Sequence, residues 1–125
     1  MSGPVSMITF EQQRLENGET KTHTLYTLPS HRSSLLKLTV IVHDVNSNTN
    51  RKYFNAAYAW YRQWDTAPTK KVLATIFDDN TGSGPAQYHI DTIAAGNDIQ
   101  VSISQSGFDT NSYYTIIADV IFAVL

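Results

Sequence analysis

The sequence predicts one all-β domain, an antiparallel β-sandwich of the jelly-roll type with seven or eight strands. Three observations lead to this prediction. Segments with a period of two recur along the chain, turn-forming clusters separate them by roughly 8 to 15 residues, and no segment has a helical period. A chain of 125 residues can also bury one core without a metal ion or a disulfide.

The beginning of the chain carries the weakest pattern. Val5–Phe10 alternates only loosely, so we interpret residues 1–18 as an arm or a short first strand and residues 19–125 as the sandwich domain. The Asn17-Gly18 dipeptide between them is typical of a sharp turn. Lys21–Leu28 then alternates regularly enough to predict a half-exposed strand.

Two strands in the middle of the chain are predicted to be buried. Leu35–Val45 is rich in β-branched residues, which favour a strand over a helix. Tyr53–Trp64 holds both tryptophans, and large aromatic side chains supply much of the buried area of a small domain. We therefore interpret this aromatic strand mainly as filling between two sheets, on the face that carries Phe54, Ala56, Tyr58, Trp60, Arg62 and Trp64.

Three further strands follow, separated by turn signals. Val72–Phe77, Tyr88–Ile93 and Ile99–Ile103 each alternate, and the cluster Asp78–Pro85 gives the clearest turn signal in the chain. The last predicted strand, Tyr113–Leu125, is apolar on both faces. Such a strand has to be covered twice, once by its own domain and once by another sheet or subunit. The face expected to meet a subunit carries Tyr113, Ile117, Ile121 and Leu125.

Composition argues against several classes of partner. Nine basic and eleven acidic residues give a net charge of −2, which predicts neither a nucleic-acid partner nor attraction to an anionic membrane. No apolar run is long enough to insert into a bilayer. Cysteine is absent, and with it disulfides and thiolate chemistry. The first residues lack the pattern of a signal peptide, which predicts a protein made in the bacterial cytoplasm.

The motifs of catalysis and metal binding are also missing from the sequence. Asp44, Asn46 and Asn48 have the spacing of a calcium loop, but Thr49 and Asn55 stand where that loop needs a glycine and a glutamate, so an ordinary turn is favoured. The histidines form no zinc motif, and no nucleophile, base and acid can be named together. We therefore predict no cofactor, no metal site and no enzymatic activity. Inside the last strand lies Asp119, which is expected at the solvent or at an interface, or else paired with Lys37 or Arg62.

One ligand hypothesis remains, at the end of the aromatic strand. Sandwich modules that bind carbohydrate present aromatic rings to the C–H faces of sugars and polar side chains to their hydroxyl groups. Such a mixture occurs at Tyr61, Arg62, Gln63, Trp64 and Asp65. The sequence leaves open whether these residues recognise a host-surface glycan or belong to the core.

The absence of cysteine, the abundance of Ser, Thr and Asn, and the ending NDIQVSISQSGFDTNSYYTIIADVIFAVL from Asn97 together resemble small structural proteins of tailed bacteriophages. These are capsid decoration proteins and the β-sandwich head domains of fibres and tail tips, and the resemblance covers about the last two thirds of the chain. It implies a virion protein that binds other virion proteins and forms a homo-oligomer, with a trimer favoured. The contact would use the second apolar face of Tyr113–Leu125.

Overall fold

The chain folds into two antiparallel β-sheets in the computed structural model, which describes residues 2–16, 18–45, 51–81, 87–106 and 111–124. This confirms the predicted all-β sandwich, with eight strands. The strands are β1 (Ser2–Leu15), β2 (Thr20–Thr27), β3 (Arg32–Asp44), β4 (Arg51–Arg62), β5 (Thr69–Thr81), β6 (Gln87–Ala95), β7 (Asp98–Ser106) and β8 (Ser112–Val124).

The two sheets differ in width. The larger has five strands in the order β1-β8-β3-β4-β5, and the smaller has three in the order β2-β7-β6. The jelly-roll subtype stays a prediction. The strands divide five to three, and β3 and β4 form a hairpin within one sheet. In the described part of the chain, no helix is long and apolar enough to span a membrane.

The core lies between the sheets and is built from strictly alternating positions. On β4 every second residue from Lys52 to Trp60 is buried, which confirms the aromatic strand as filling between the sheets. The Nε1–H of Trp60 donates to Thr92 Oγ1 of β6 at 3.1 Å, so this ring also ties the two sheets together. The larger sheet further contributes Leu36, Leu38, Val40, Val42, Tyr114, Ile116, Ala118 and Val120, and the smaller sheet contributes Leu25, Tyr88, Ile99, Val101 and Ile103.

The turns follow the chemistry of their residues. Gly18 and Gly96 have φ values of +72° and +61°, which glycine adopts at little cost, and both lie in turns that the sequence predicted. The turn predicted over Asp78–Pro85 begins later than expected, because β5 continues to Thr81. Its remainder lies outside the described residues, as do Asn46 and Asn48 of the calcium-like segment.

The beginning of the chain is more regular than its sequence indicates. We expected an arm or a short strand over Val5–Phe10, but β1 is a strand of 14 residues that pairs with β8 at one edge of the larger sheet. Its pairing shifts register between Phe10 and Gln13, and Gln12 there has a φ of +47°. This bulge breaks the period of two directly after Phe10, which explains why the predicted strand stopped there.

Candidate functional site

The residues predicted as a ligand site lie together at one end of the sandwich. Tyr61 and Arg62 are the last residues of β4, and Gln63, Trp64 and Asp65 form the turn towards β5. All of these side chains are exposed except Arg62, which is half-buried. The indole of Trp64 is 67% exposed, so it is not part of the core. Their role as a binding site stays a prediction.

Hydrogen bonds hold this turn in one shape. The Thr66 N–H donates to the Gln63 carbonyl at 3.2 Å, and the Thr66 hydroxyl donates to the same oxygen. The Arg62 guanidinium donates to the Thr66 carbonyl at 2.8 Å and to the Leu28 carbonyl at 3.3 Å. Because Arg62 bridges the end of β2 and the β4–β5 turn, part of its donor capacity is used within the chain.

The β2–β3 turn adds a residue that the sequence argument missed. The rings of His31 and Trp64 meet edge to face, with centroids 4.5 Å apart and planes at 75°. Both residues have positive φ, +59° for His31 and +53° for Trp64, and the Ser30 hydroxyl donates to the Trp64 carbonyl. Bulky residues rarely adopt this conformation, and strained backbone of this kind concentrates at functional sites. The two turns together hold an aromatic pair in which Trp64 is exposed and His31 is half-buried.

Positive charge also gathers at this end. Arg32, the first residue of β3, lies directly opposite Arg62 of β4 in the strand pairing. Like charges in that position repel each other unless an anion or a polar group lies between them. The sequence predicts a turn after Asp44 between β3 and β4. Only the register of this hairpin, however, places Arg32 opposite Arg62.

The second predicted surface is the side of the larger sheet that faces away from the smaller sheet, here called the open face. Tyr113 and Ile121 are exposed on it, Ile117 is half-buried, and Leu125 lies outside the described residues. Asp119 is half-buried on the same face and lies opposite Lys37 in the pairing of β8 with β3. Neighbouring strands extend the apolar surface through Met7, Leu35, Ile41, Tyr53, Ala57, Ala59 and Tyr61.

The other edge of the larger sheet presents a surface that the sequence did not indicate. Every described side chain from Lys71 to Asp79 on β5 is exposed. This includes Val72, Leu73, Ile76 and Phe77, which the sequence argument placed in an ordinary sandwich strand. Lys70, the residue before this stretch, reaches back to β6 and pairs with Asp91 Oδ1 at 2.9 Å.

A polar cavity of about 360 Å³ lies between β5 and β6. It is lined by Lys52, Asp78, His89, Ile90, Asp91, Ser102 and Ser104. Lys52 is 4% exposed and its ammonium pairs with the Asp78 carboxylate. Both carboxylates in the cavity face a lysine, so their charges are neutralised, and His89 is the remaining titratable side chain in the lining. No group of three or more metal-ligating acids and histidines occurs among the described residues.

One titratable group lies at the opposite edge, where β1 meets the smaller sheet. The ring of His23 on β2 packs on Phe10 of β1 at a centroid distance of 4.4 Å, and its Nε2 shares a hydrogen bond with the Tyr114 hydroxyl. Burial, with a contribution from the Lys21 charge, lowers the pKa of His23 below its ordinary value of 6.5. Burial and the nearby Glu19 raise the pKa of Tyr114 to about 12. The contact therefore favours a neutral imidazole.

Comparison with known proteins assigns neither a family nor a function to the chain. No protein-family model matches the chain, and no curated protein matches it. Among solved structures it is similar to a tailspike protein, gp49 of Acinetobacter baumannii bacteriophage Fri1, described as a capsular polysaccharide depolymerase. The identity is 16% and the TM-score 0.44, over 97% of this chain and 17% of the tailspike chain. A likeness this distant assigns no role to any residue here.

Proposed function

We propose that this protein is a non-enzymatic structural component of a bacteriophage virion, a capsid decoration protein or a component of a fibre or tail, which assembles with copies of itself through the open face. The observation that carries self-assembly is that face. Tyr113, Ile121 and Ile41 are exposed there, and strands β8, β3 and β4 that carry the apolar surface lie side by side. The charged pair of positions Asp119 and Lys37 crosses this face between Ile121 and Ile41, so the contact combines apolar rows with a charged one. Exposed apolar side chains grouped on one sheet face are typical of a protein interface.

The arrangement of the open face fits contact with another sheet. Its rows run across the strands, so that Ile121 lies beside Leu35 and Leu35 beside Ala59. Burying one large apolar side chain contributes about 1.5–3 kcal/mol, so a few such rows favour association. A trimer is the oligomer we propose, because the resemblance of the sequence to phage fibre and tail-tip domains implies one. Membership of the virion rests on the same resemblance.

The oligomer is tested by light scattering coupled to size-exclusion chromatography. We expect the wild-type protein to be a trimer and Ile121→Glu to be a monomer, because a charge at the centre of the contact must be desolvated. Thr22→Glu is the matched control, since Thr22 is exposed on the outward side of the smaller sheet and its variant should remain a trimer. A wild-type protein that is strictly monomeric at every concentration and never joins particles would contradict the proposal.

A second candidate function is recognition of a host-surface glycan or receptor at the β4–β5 turn. The specific observation in its favour is the exposed indole of Trp64, held edge to face by the half-buried His31 on two turns with positive φ. An aromatic ring in this position can stack on a sugar, and Arg32 and Arg62 add positive charge beside it.

Glycan-array binding tests this candidate. Trp64→Ala should abolish a signal that Val45→Ala leaves intact, because Val45 is an apolar residue, 50% exposed, in another turn, directly after β3. Circular dichroism should show both variants folded. A Trp64→Ala variant that keeps the full signal would reject the turn as the binding site.

A further inference from the structure

Four large apolar side chains are exposed within six residues of β5. Val72 is 53% exposed, Leu73 48%, Ile76 66% and Phe77 40%. A single exposed apolar residue needs no explanation, but four on one edge strand leave much apolar area in water. They occupy both faces of β5, since Val72 lies opposite the inward-facing Tyr58 and Phe77 opposite the outward-facing Asn55. The smaller sheet does not cover this strand, although it buries alternate residues of the adjacent β4.

β5 is also an edge strand. It pairs with β4 on one side, and no other described strand pairs with it. Its register against β4 shifts between Asn55 and Ala56 and again between Ala57 and Tyr58, which leaves Leu73 and Ile76 without a residue opposite. Bulges of this kind prevent a continuous hydrogen-bonded ladder along an edge. A partner of β5 can therefore approach it at pairing distance only over a short segment, such as Ala74 and Thr75 between the two bulges, and side chains supply the rest of the contact.

The charges on β5 indicate which partner fits. Lysines at positions 70 and 71 precede the apolar run, and aspartates at positions 78 and 79 follow it. Lys70 and Asp78 have partners within the chain, Asp91 and Lys52. The exposed Lys71 and Asp79 form no ion pair within the described part of the chain. A second β5 that runs antiparallel places each lysine end beside an aspartate end, whereas a parallel one places like charges together.

We propose that β5 is a contact between two copies of this chain, which pack their β5 strands antiparallel about a two-fold axis near Thr75. Lys71 of each copy then faces Asp79 of the other, and the four apolar side chains of both copies pack between these pairs. The contact is isologous, because one surface meets itself. It is distinct from the open-face contact of the proposed function. Because the open-face contact alone closes a trimer, the β5 contact would join one trimer to another.

The absence of native cysteine allows this geometry to be tested by single-cysteine cross-linking. Thr75→Cys should form a disulfide-linked dimer on mild oxidation, because residue 75 lies on the axis and a disulfide needs Cα atoms within about 7 Å. Lys71→Cys alone should not, since residues 71 and 79 span six positions of β4, which places the two copies of residue 71 on the order of 20 Å apart. An equimolar mixture of Lys71→Cys and Asp79→Cys should cross-link between the two variants.

Two outcomes of this experiment would overturn the proposal. If Lys71→Cys cross-links to itself as well as it does to Asp79→Cys, the strands are not antiparallel. If Thr75→Cys stays monomeric on non-reducing gels while the protein is folded, β5 is not a contact. Repeating the Thr75→Cys measurement in the Ile121→Glu background separates the two interfaces: the cross-link should persist there even when open-face assembly is lost or was never present.

Charge reversal gives an independent measurement. Lys71→Glu and Asp79→Lys should each weaken dimer formation through β5, measured by sedimentation in the Ile121→Glu background, by about tenfold. The double variant Lys71→Glu/Asp79→Lys should restore it, because the exchanged charges again face each other. Arg14→Glu, at the opposite edge of the same sheet, is the control and should have no effect. A double variant as weak as the single ones would reject the pairing of Lys71 with Asp79.

Discussion

β4 and β5 are neighbours in the same sheet, of 12 and 13 residues, and both contain large apolar side chains. On β4, Phe54, Tyr58 and Trp60 are buried, whereas every described side chain of β5 from Lys71 to Asp79 is exposed. The two strands differ in composition, since β4 has five aromatic residues and β5 has one, and they differ in what covers them. This contrast shows that an apolar strand becomes core only where a second sheet lies over it.

The width of the two sheets accounts for the difference. Neighbouring strands lie about 4.8 Å apart, so five strands span roughly 19 Å and three span about 10 Å. The burial pattern shows that the smaller sheet covers β8, β3 and β4 and leaves β5 outside. At the opposite edge, Phe10 of β1 contacts His23 of the smaller sheet. We call this covered edge of the larger sheet its closed edge, and the uncovered β5 edge its open edge.

The largest expected effect follows from removing a side chain that the second sheet covers. Trp60→Ala should lower the free energy of unfolding by about 3–5 kcal/mol, because it leaves a large cavity and removes the bond to Thr92. Urea denaturation of the purified protein, at a concentration where assembly is absent, measures it. Phe77→Ala on β5 is the matched change and should cost under about 1 kcal/mol in the same assay. Equal losses at the two positions would mean that β5 is covered within one chain.

A smaller effect is expected at the one ion pair that joins β4 to β5 in the core. Asp78→Asn should cost about 1–3 kcal/mol, because it leaves the buried Lys52 ammonium without its counter-charge. Lys52→Met should cost less, since the half-exposed Asp78 can be solvated once its partner is gone. Thermal denaturation of the two variants side by side measures this asymmetry. If Lys52→Met is less stable than Asp78→Asn, the unpaired Lys52 ammonium is not the main source of the loss in stability.

Acid should weaken the closed edge and spare the open one. Because the folded-state pKa of His23 lies below 6.5, the stability contributed by its neutral ring is fully present above pH 6.5 and is lost as the pH falls from there through the folded-state pKa. Hydrogen exchange should show the amides of β1 opening faster at pH 5.5 than at pH 7.5 after correction for intrinsic rates. His23→Asn should remove this difference. Faster exchange confined to β5 would point to another titrating group.

The smallest change in folding stability is expected on the open edge itself. Ile76→Thr replaces the most exposed apolar side chain of β5 by one of similar shape, so the free energy of unfolding should change by no more than about 0.5 kcal/mol. Dimer formation through β5 should nevertheless weaken, as measured by sedimentation in the Ile121→Glu background. A large loss of folding stability would show that Ile76 packs within its own chain.

Sequence periodicity was a reliable guide where strands are regular and covered. It predicted the buried face of β4 from Phe54 to Trp60, and the structure confirms it. It underestimated β1, because the bulge at Gln12 breaks the alternation, and it ended β5 before Asp78 although the strand continues to Thr81. Bulges and polar strand ends have no periodic signal, so these boundaries depend on the pairing of neighbouring strands.

The predicted site at the β4–β5 turn shows the same division. Residues adjacent in the chain, from Tyr61 to Asp65, could be grouped from sequence alone. The partners His31 and Arg32 could not, because they come from another turn and meet Trp64 and Arg62 only through the register of β3 against β4.

By itself the sequence determined the all-β class, the alternation of β4 and the two apolar faces of β8, because these depend on which residues are neighbours along one strand. Only the tertiary structure decided that the sheets divide five to three, that His31 meets Trp64, and that β5 is left uncovered. These features depend on which strands pair and which sheet lies over them, and contacts between distant segments leave no local pattern. For that reason Val72–Phe77, which the sequence indicates as an ordinary strand, is in the folded chain an exposed apolar edge.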